Sequence, residues 1–201
     1  MAIKELYYIK PITYHQAIDI VIRHHYLHRK SSCMYSFGLF EKNSDELKGV
    51  VIYGKPASNQ LCVGICGSEE SKNVVELNRL FVFDDVPKNG ESFLISNSMK
   101  LIDKEIIVSY ADTQYGHLGI VYQATNWIYT GATKPRTDIA TDGNKHSRHY
   151  SKDIDYSLNR KFRSSKHRYV YFNCNRKRKK ELLHKLKYKV ESYPKHIINN
   201  I

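Results

Sequence analysis

The sequence predicts an α+β protein with an α/β core, a mixed and twisted sheet flanked by helices, and three observations carry that prediction. Residues 74–130 run strand, helix, strand, helix, strand, a succession that joins neighbouring parallel strands by right-handed crossovers. Before them, the apolar runs Met34–Phe40 and Leu47–Tyr53 flank the polar turn EKNSDE, which reads as an antiparallel hairpin. The stretch IIVSY at Ile106–Tyr110 is short and almost continuously apolar, as a central strand buried on both faces must be.

Each element has its own signal. Thr13 is placed to cap a first helix running to about His25, with Ala17, Ile18, Val21 and Ile22 as its apolar stripe. The run LCVGIC at Leu61–Cys66 reads as a further strand, its Cys62 and Cys66 as small buried thiols rather than metal ligands. Val74–Phe83 (VVELNRLFVF) is a strand, and Gly90 and Glu91 open an apolar-periodic helix to about Ile102. A helix at about His117–Thr125 and a strand at Trp127–Thr130 follow Ile106–Tyr110. Residues 132–160 read as a long polar loop or arm. Lys166–Phe172 (KHRYVYF) returns as a strand, and Arg176–Leu186 as a basic helix that Asn175 caps, with Leu182, Leu183 and Leu186 on its apolar side.

Composition narrows the class. Of 201 residues, 41% are hydrophobic and 26% charged, a globular balance that excludes wholesale disorder. No apolar run approaches the roughly 20 residues of a membrane span. The start lacks a secretory signal, and four scattered cysteines make no disulfide framework, so a reducing cytoplasm fits. The formal net charge is +12, and it is one-sided: residues 1–131 hold 13 Lys and Arg against 14 Asp and Glu, residues 132–201 hold 19 against 6. Such a field suits a polyanion, because each phosphate neutralised releases counterions; a solvated basic face is the plainer alternative. Residues 1–131 thus read as a near-neutral core domain. Residues 132–201 read as a basic extension of the same domain, packed on the core and suited to a nucleic acid, with too few apolar residues for a core of their own.

The succession ELNRLFV, PKNGESFLISNSMKLI and SYADTQYGHLGIVYQATNWIYTG resembles the central motifs of GNAT acyltransferases. That resemblance implies a parallel strand pair that splays apart to admit the pantetheine arm of an acyl-CoA, with its pyrophosphate at the N-terminus of the intervening helix, where N–H groups and dipole suit phosphate. More narrowly, ELNRLFV, KNGESF, SYAD, GHLGIVYQATNW and the closing SYPK resemble the Mom-like proteins of bacteriophages, with fainter echoes at HSRHYS and KHRYVYF. Such proteins convert adenine in DNA to a carbamoylmethylated form and so protect phage DNA from restriction. One departure stands out: where GNAT enzymes carry a glycine-rich loop, this chain has Val86-Pro87-Lys88-Asn89-Gly90-Glu91-Ser92, with a single glycine and a carboxylate that repels pyrophosphate.

The candidate residues follow from both sources. Tyr122 lies in the helix that in GNAT enzymes supplies a tyrosine acid to the departing thiolate; with sixteen tyrosines in the chain, simple packing is the alternative. Glu76, on the strand lining the cleft, is a base or a positioning group, and Asn78 is its same-face partner by period two. Asp112 at a strand end and His117 at a helix start are an acid/base pair, two metal ligands, or simply a cap and a helix start. In Arg23-His24-His25-Tyr26-Leu27-His28-Arg29, His24 and His28 have an i, i+4 metal spacing, while the resemblance favours His25 and Tyr26 and suggests a ferrous ion. It also implies Tyr110 among the catalytic groups and Asn89, Gly90, Glu91, Ser92, Arg79 and Asn126 around an acetyl-CoA or related small-group donor. Arg148, Lys166, Arg168, Arg176, Lys177, Arg178, Lys179 and Lys180 are the expected contacts to double-stranded DNA, and KHRYVYF interleaves cations with aromatics suited to an extruded base. The expected activity is transfer of a carbamoylmethyl-type group to the exocyclic N6 of adenine. The alternatives are an N-acetyltransferase acting on a protein or tRNA amine and an inactive fold used as a DNA-binding module.

Overall fold

The computed structural model describes residues 2–139 and 160–195. A short helix α1 (Ile3–Leu6) leads into strand β1 (Tyr7–Pro11), helix α2 (Tyr14–His24), strands β2 (Tyr35–Glu41) and β3 (Leu47–Gly54), and helix α3 (Asn59–Cys66). Then come β4 (Val74–Val82), α4 (Gly90–Ser98), β5 (Ile106–Asp112), α5 (Ile120–Ala124) and β6 (Ile128–Ala132). The chain closes with β7 (Arg136–Ile139), β8 (Arg160–Arg163), β9 (Lys166–Phe172) and α6 (Arg176–Lys185).

Local chemistry explains most of these boundaries. Thr13 caps α2 reciprocally with Gln16, and Ala17, Ile18 and Val21 pack on Val50 and Ile52, whereas Ile22 is 39% exposed and leaves the expected stripe. LCVGIC is helical, not a strand. Ser58 accepts the Leu61 N–H, and Cys62, Ile65 and Cys66 are buried at i, i+3 and i+4, the period of a helix face. Burial of the Ile65 side chain alone contributes about 1.5–3 kcal/mol. Helix α5 starts later than expected because Gly119, with φ of 71°, turns the chain just before it, leaving His117 in the preceding loop. Asn175 caps α6 through the Arg178 N–H, and Leu182 is buried, but Leu183 is 40% exposed. Within the stretch 132–160 read as a loop or arm, β7 is a strand that pairs antiparallel with β8, which starts at Arg160, and residues 140–159 lie outside the described residues.

The main sheet has the order β1-β2-β3-β4-β5-β9-β6. Strands β1 to β4 pair antiparallel, β4 and β5 parallel, and β9 runs antiparallel between β5 and β6. The sheet therefore draws one of its strands from the basic segment 132–201, and β5 and β6 are not the neighbours their sequence order suggested. Strand β9 pairs with β5 along its whole length, from Ile106 opposite Phe172 to Asp112 opposite Lys166, so no room remains for β6 there. Beside it, β4 and β5 pair only at Val74–Ile106, Val75–Ile107 and Glu76–Val108; beyond that they part. Alternation puts Val75, Leu77 and Ile107 on the face packed by Leu94 and Ile95 of α4 and Tyr122 of α5. Val74, Ile106 and Val108 face Cys62 and Ile65 of α3 and Leu182 of α6.

Candidate active site

Where β4 and β5 separate, two cavities approach the gap from opposite faces. One, of about 360 Å³, is lined by His25, Ser109, His117 and Tyr122 among others. The second, of about 270 Å³, is lined by Glu76, Arg79, Lys134, Arg136 and Lys166. Tyr26, Leu77, Asn78 and Tyr110 line both, so the gap joins the two faces of the sheet. A third cavity, of about 210 Å³, holds Asp112 and shares Tyr26 and Lys166 with the second. Glu76, Asp112, His117 and Tyr122 thus surround one splayed region but occupy three adjoining spaces.

Tyr122 is buried, and its hydroxyl lies 2.7 Å from Ser109 Oγ, which is also 3.0 Å from the Leu77 carbonyl. Ser109 has one proton. Either it donates to Leu77 and accepts from Tyr122, or it donates to Tyr122 and leaves the phenol proton free to point into the cavity. Burial raises the Tyr122 phenol above its ordinary value, and the Ser109 hydrogen bond opposes that rise. Ser109 went unnoticed in the sequence, although a hydroxyl within an apolar central strand must find a partner.

Glu76 stands at the last parallel pair, on the other face. Burial pushes its carboxyl up to about 7, against the pull of Arg79, Lys166 and a backbone hydrogen bond from Ala57. Asn78 is not its partner: the Asn78 amide donates to the Ser32 carbonyl at 2.9 Å and to its hydroxyl at 3.1 Å. Arg79 lines this same cavity, away from the α4 N-terminus where a donor's phosphates were expected. Its Nη1 donates to Asn78 O, and its Nε is buried without a hydrogen-bond partner among the described residues. Burial also raises the Tyr110 phenol.

Asp112 has a different part. Burial alone would raise its carboxyl, but the Ser164 hydroxyl, the Lys166 ammonium at 2.9 Å and the Gln114 N–H at 3.0 Å outweigh that and hold it below the usual carboxylate range. Its link to His117 is through the backbone, His117 N–H to Asp112 C=O at 3.2 Å. These contacts make Asp112 an anchor that ties β5 to Lys166 and Ser164.

His25 is buried, and burial lowers its imidazole to about 4, so the ring is neutral at physiological pH. Its Nδ1 accepts the Leu27 N–H at 3.1 Å, which leaves the proton on Nε2. The ring stacks on Tyr26 at 4.3 Å, and Tyr26 meets Tyr115 at 4.6 Å and His117 at 5.1 Å, an aromatic cluster at the mouth of the gap. His24 and His28 do not share a helical face, because α2 ends at His24, whose ring packs on Phe81 and Phe83, and His28 turns back to the Ile22 carbonyl. Among the described residues no three His, Cys, Asp or Glu side chains gather as a metal site requires, so the ferrous ion finds no ligand set there.

The N-terminus of α4 fits a pyrophosphate poorly. The small cavity beside it is lined by Lys88 but also by Asp84 and Glu91, and a Cβ on Gly90 would come 2.5 Å from Val86 Cγ1, so this glycine serves close packing. Ser92 Oγ is turned to the Asn89 carbonyl at 3.0 Å. Among the described residues no lysine or arginine lines the larger cavity, though Glu91 reaches it. Asn126 is an exposed turn residue with φ of 60°, ending α5.

Several expected DNA contacts have structural partners. Arg168 donates to Thr130 Oγ1 and O, each at 2.9 Å, and its guanidinium stacks 3.4 Å above the Tyr188 ring. Arg178 pairs with Glu70, Glu105 and Glu181, and Lys179 lies 5.9 Å over Tyr171. Arg176, Lys177 and Lys180 are exposed, Lys166 lines the second cavity, and Arg148 lies outside the described residues.

Comparison with known proteins agrees with this geometry. The solved N-acetyltransferase from Staphylococcus aureus Mu50 superimposes with a TM-score of 0.50 at 14% identity, over 85% of this chain and 99% of that one. NAA60 of Arabidopsis thaliana in complex with acetyl-CoA gives 0.51 at 13% identity, over 83% and 98%. At such identities the likeness shows the fold, and the fold is that of the GNAT acetyltransferases. In sequence, the methylcarbamoylase mom of Escherichia phage Mu is 29% identical over 197 residues, covering 89% of this chain and 80% of that protein. The family model described as the Mom protein family matches residues 6–195. The chain therefore belongs to the Mom protein family, modifying enzymes built on an acetyltransferase fold.

Proposed function

We propose that the protein transfers a carbamoylmethyl-type group to the N6 amine of adenine in double-stranded DNA, in the cytoplasm of a phage-infected host, where the product shields the DNA from restriction. The observation that carries this reading is the gap between β4 and β5, which joins a tyrosine-lined cavity with no lysine or arginine among its described lining residues to a cation-lined cavity that holds a carboxyl poised near neutrality. The first suits a small-group donor, as in neighbours that bind acetyl-CoA; the second suits a nucleotide. A bound donor supplies the electrophilic carbon.

The chain's own residues then divide the work. The adenine amine is a weak nucleophile because its lone pair is delocalised into the ring. Glu76 takes its proton as the N6–carbon bond forms, a task suited to a base with a pKa near the working pH. Tyr122 gives a proton to the leaving atom, and the Ser109 hydroxyl steadies the phenolate left behind. His25, neutral with its proton on Nε2, offers a hydrogen bond in the first cavity. Arg79 and Lys166 hold the anionic nucleotide, and Asp112 keeps Lys166 in place. The test is expression in a bacterium free of the modification, followed by mass spectrometry of its nucleosides. A heavier deoxyadenosine is expected. An unchanged DNA mass together with tight acetyl-CoA binding would replace this reading with N-acetylation of another amine.

A further inference from the structure

The basic helix α6 was the obvious site for DNA, and its position argues otherwise. Arg178 binds Glu105, the residue just before β5, through Nε at 3.0 Å. The active gap lies at the far end of the same strand, where Tyr110 and Asp112 stand. Seven residues of extended chain separate Glu105 from Asp112, about 23 Å at ~3.3 Å each. Glu70 and Glu69 further bind Lys185, so part of the helix's charge serves its own attachment.

The cations that surround the gap come from elsewhere. The second and third cavities carry seven lysines and arginines against two carboxylates, and four of the seven, Lys134, Arg136, Lys161 and Arg163, lie on or beside the β7–β8 ribbon. Within β8, whose sequence is RKFR, stands Phe162, 64% exposed, lining the third cavity with Tyr26 and Asp112. Among the described residues this phenyl joins none of the hydrophobic clusters. An enzyme that withdraws a base from a duplex leaves a gap in the stack, and apolar side chains inserted at base steps are a known means of holding such a distortion.

We propose that the β7–β8 ribbon is the element that meets the duplex, with Phe162 occupying the space left by the extruded adenine while Lys134, Arg136, Lys161 and Arg163 grip the flanking phosphates. The proposal rests on the adenine reading above for its Phe162 arm; the ribbon arm stands on charge and position. Two measurements test it. In salt titrations of duplex binding, Arg136→Glu with Lys161→Glu is expected to flatten the log–log slope by about 0.9 per lost contact, while Lys177→Glu with Lys180→Glu in α6 leaves it unchanged. If the α6 pair flattens the slope and the ribbon pair does not, the proposal is overturned.

The second measurement compares modification of the same unmodified bacterial DNA, native and heat-denatured, with a cleared lysate of the host as donor source. Phe162→Ala is expected to lower modification of native DNA at least about tenfold while sparing denatured DNA, whose bases need no extrusion, and Phe162→Trp to restore the native rate. Equal losses on both substrates would end the wedge assignment. Wild-type protein that adds no mass to either DNA would instead refute the adenine reading and the Phe162 arm with it, leaving the ribbon to the salt titration.

Discussion

Replacing Glu76 with Gln should make the folded protein more stable at alkaline pH. Burial lifts the Glu76 carboxyl from an ordinary 4.5 to about 7. The sign follows from proton uptake. Between these values the folded state holds a proton that the unfolded state has released, so stability is fullest below 4.5 and declines as pH rises through 7. At ~1.36 kcal/mol per pH unit the carboxylate costs the fold about 3 kcal/mol at pH 8. Glutamine has nearly the same shape and never ionises. The assay is urea unfolding of both proteins at pH 4.5 and pH 8. The variant should gain about 3 kcal/mol relative to wild type at pH 8 and almost nothing at pH 4.5. An equal difference at both pH values would show that Glu76 is not held neutral by its site and would remove the physical basis for its role as a base. Catalysis should move the other way. Wild-type modification should rise about tenfold from pH 6 to pH 8, following the ionised fraction of a group near 7. The Gln variant should be slower by roughly 10²–10⁴ and lack that rise.

Other outcomes follow from single contacts. Tyr122→Phe and Ser109→Ala should both lower single-turnover modification, and combining them should add little, because the two hydroxyls act as one unit; additive losses would separate them. Arg178→Ala should lower stability by about 1–2 kcal/mol, read as a shift in urea midpoint, because it removes one of the two cations paired with buried Glu70 and leaves Lys185 in place. The Glu70 carboxyl is held down to about 2, chiefly by its hydrogen bond from Lys185, so its contribution should be present above 4.5 and lost as pH falls toward 2. Gly119→Ala should destabilise the start of α5 and slow modification. The new Cβ meets the Tyr169 ring at 2.5 Å on a backbone with φ of 71°, and circular dichroism melting would register the loss.

How much of this was legible varies by residue. The α2 cap, the hairpin and the strands VVELNRLFV and KHRYVYF announced themselves through local chemistry, and the parting of β4 from β5 through family likeness. LCVGIC misled because a continuous apolar run carries no period of its own. The better guides were Ser58 before it and the i, i+3, i+4 spacing of Cys62, Ile65 and Cys66. Sheet order was not legible where β9 enters between β5 and β6, since pairing between strands some sixty residues apart leaves no local trace. The candidate site shows the same division. Glu76 and Tyr122 could be singled out as residue types in suitable places, but the roles of Asp112, Arg168 and Arg178 turned on partners that only packing brings near. Glu70, 115 positions from Lys185, is one such partner.

The insertion of β9 also governs when the enzyme can exist. As the chain leaves the ribosome, β1 to β6 emerge first, yet the edge of β5 that will receive β9 stays unfilled until residue 172 has been made. Until then β6 has no neighbour in the sheet, and the wall carrying Asp112 lacks Lys166. A nascent chain halted before that point presents an open apolar edge at Ile106–Val108, a natural client for chaperones and a seed for aggregation. Long-range closure of this kind folds slowly. Production of active protein is therefore paced by completion of the C-terminal third, and truncated forms should accumulate as insoluble material rather than as weakened enzyme.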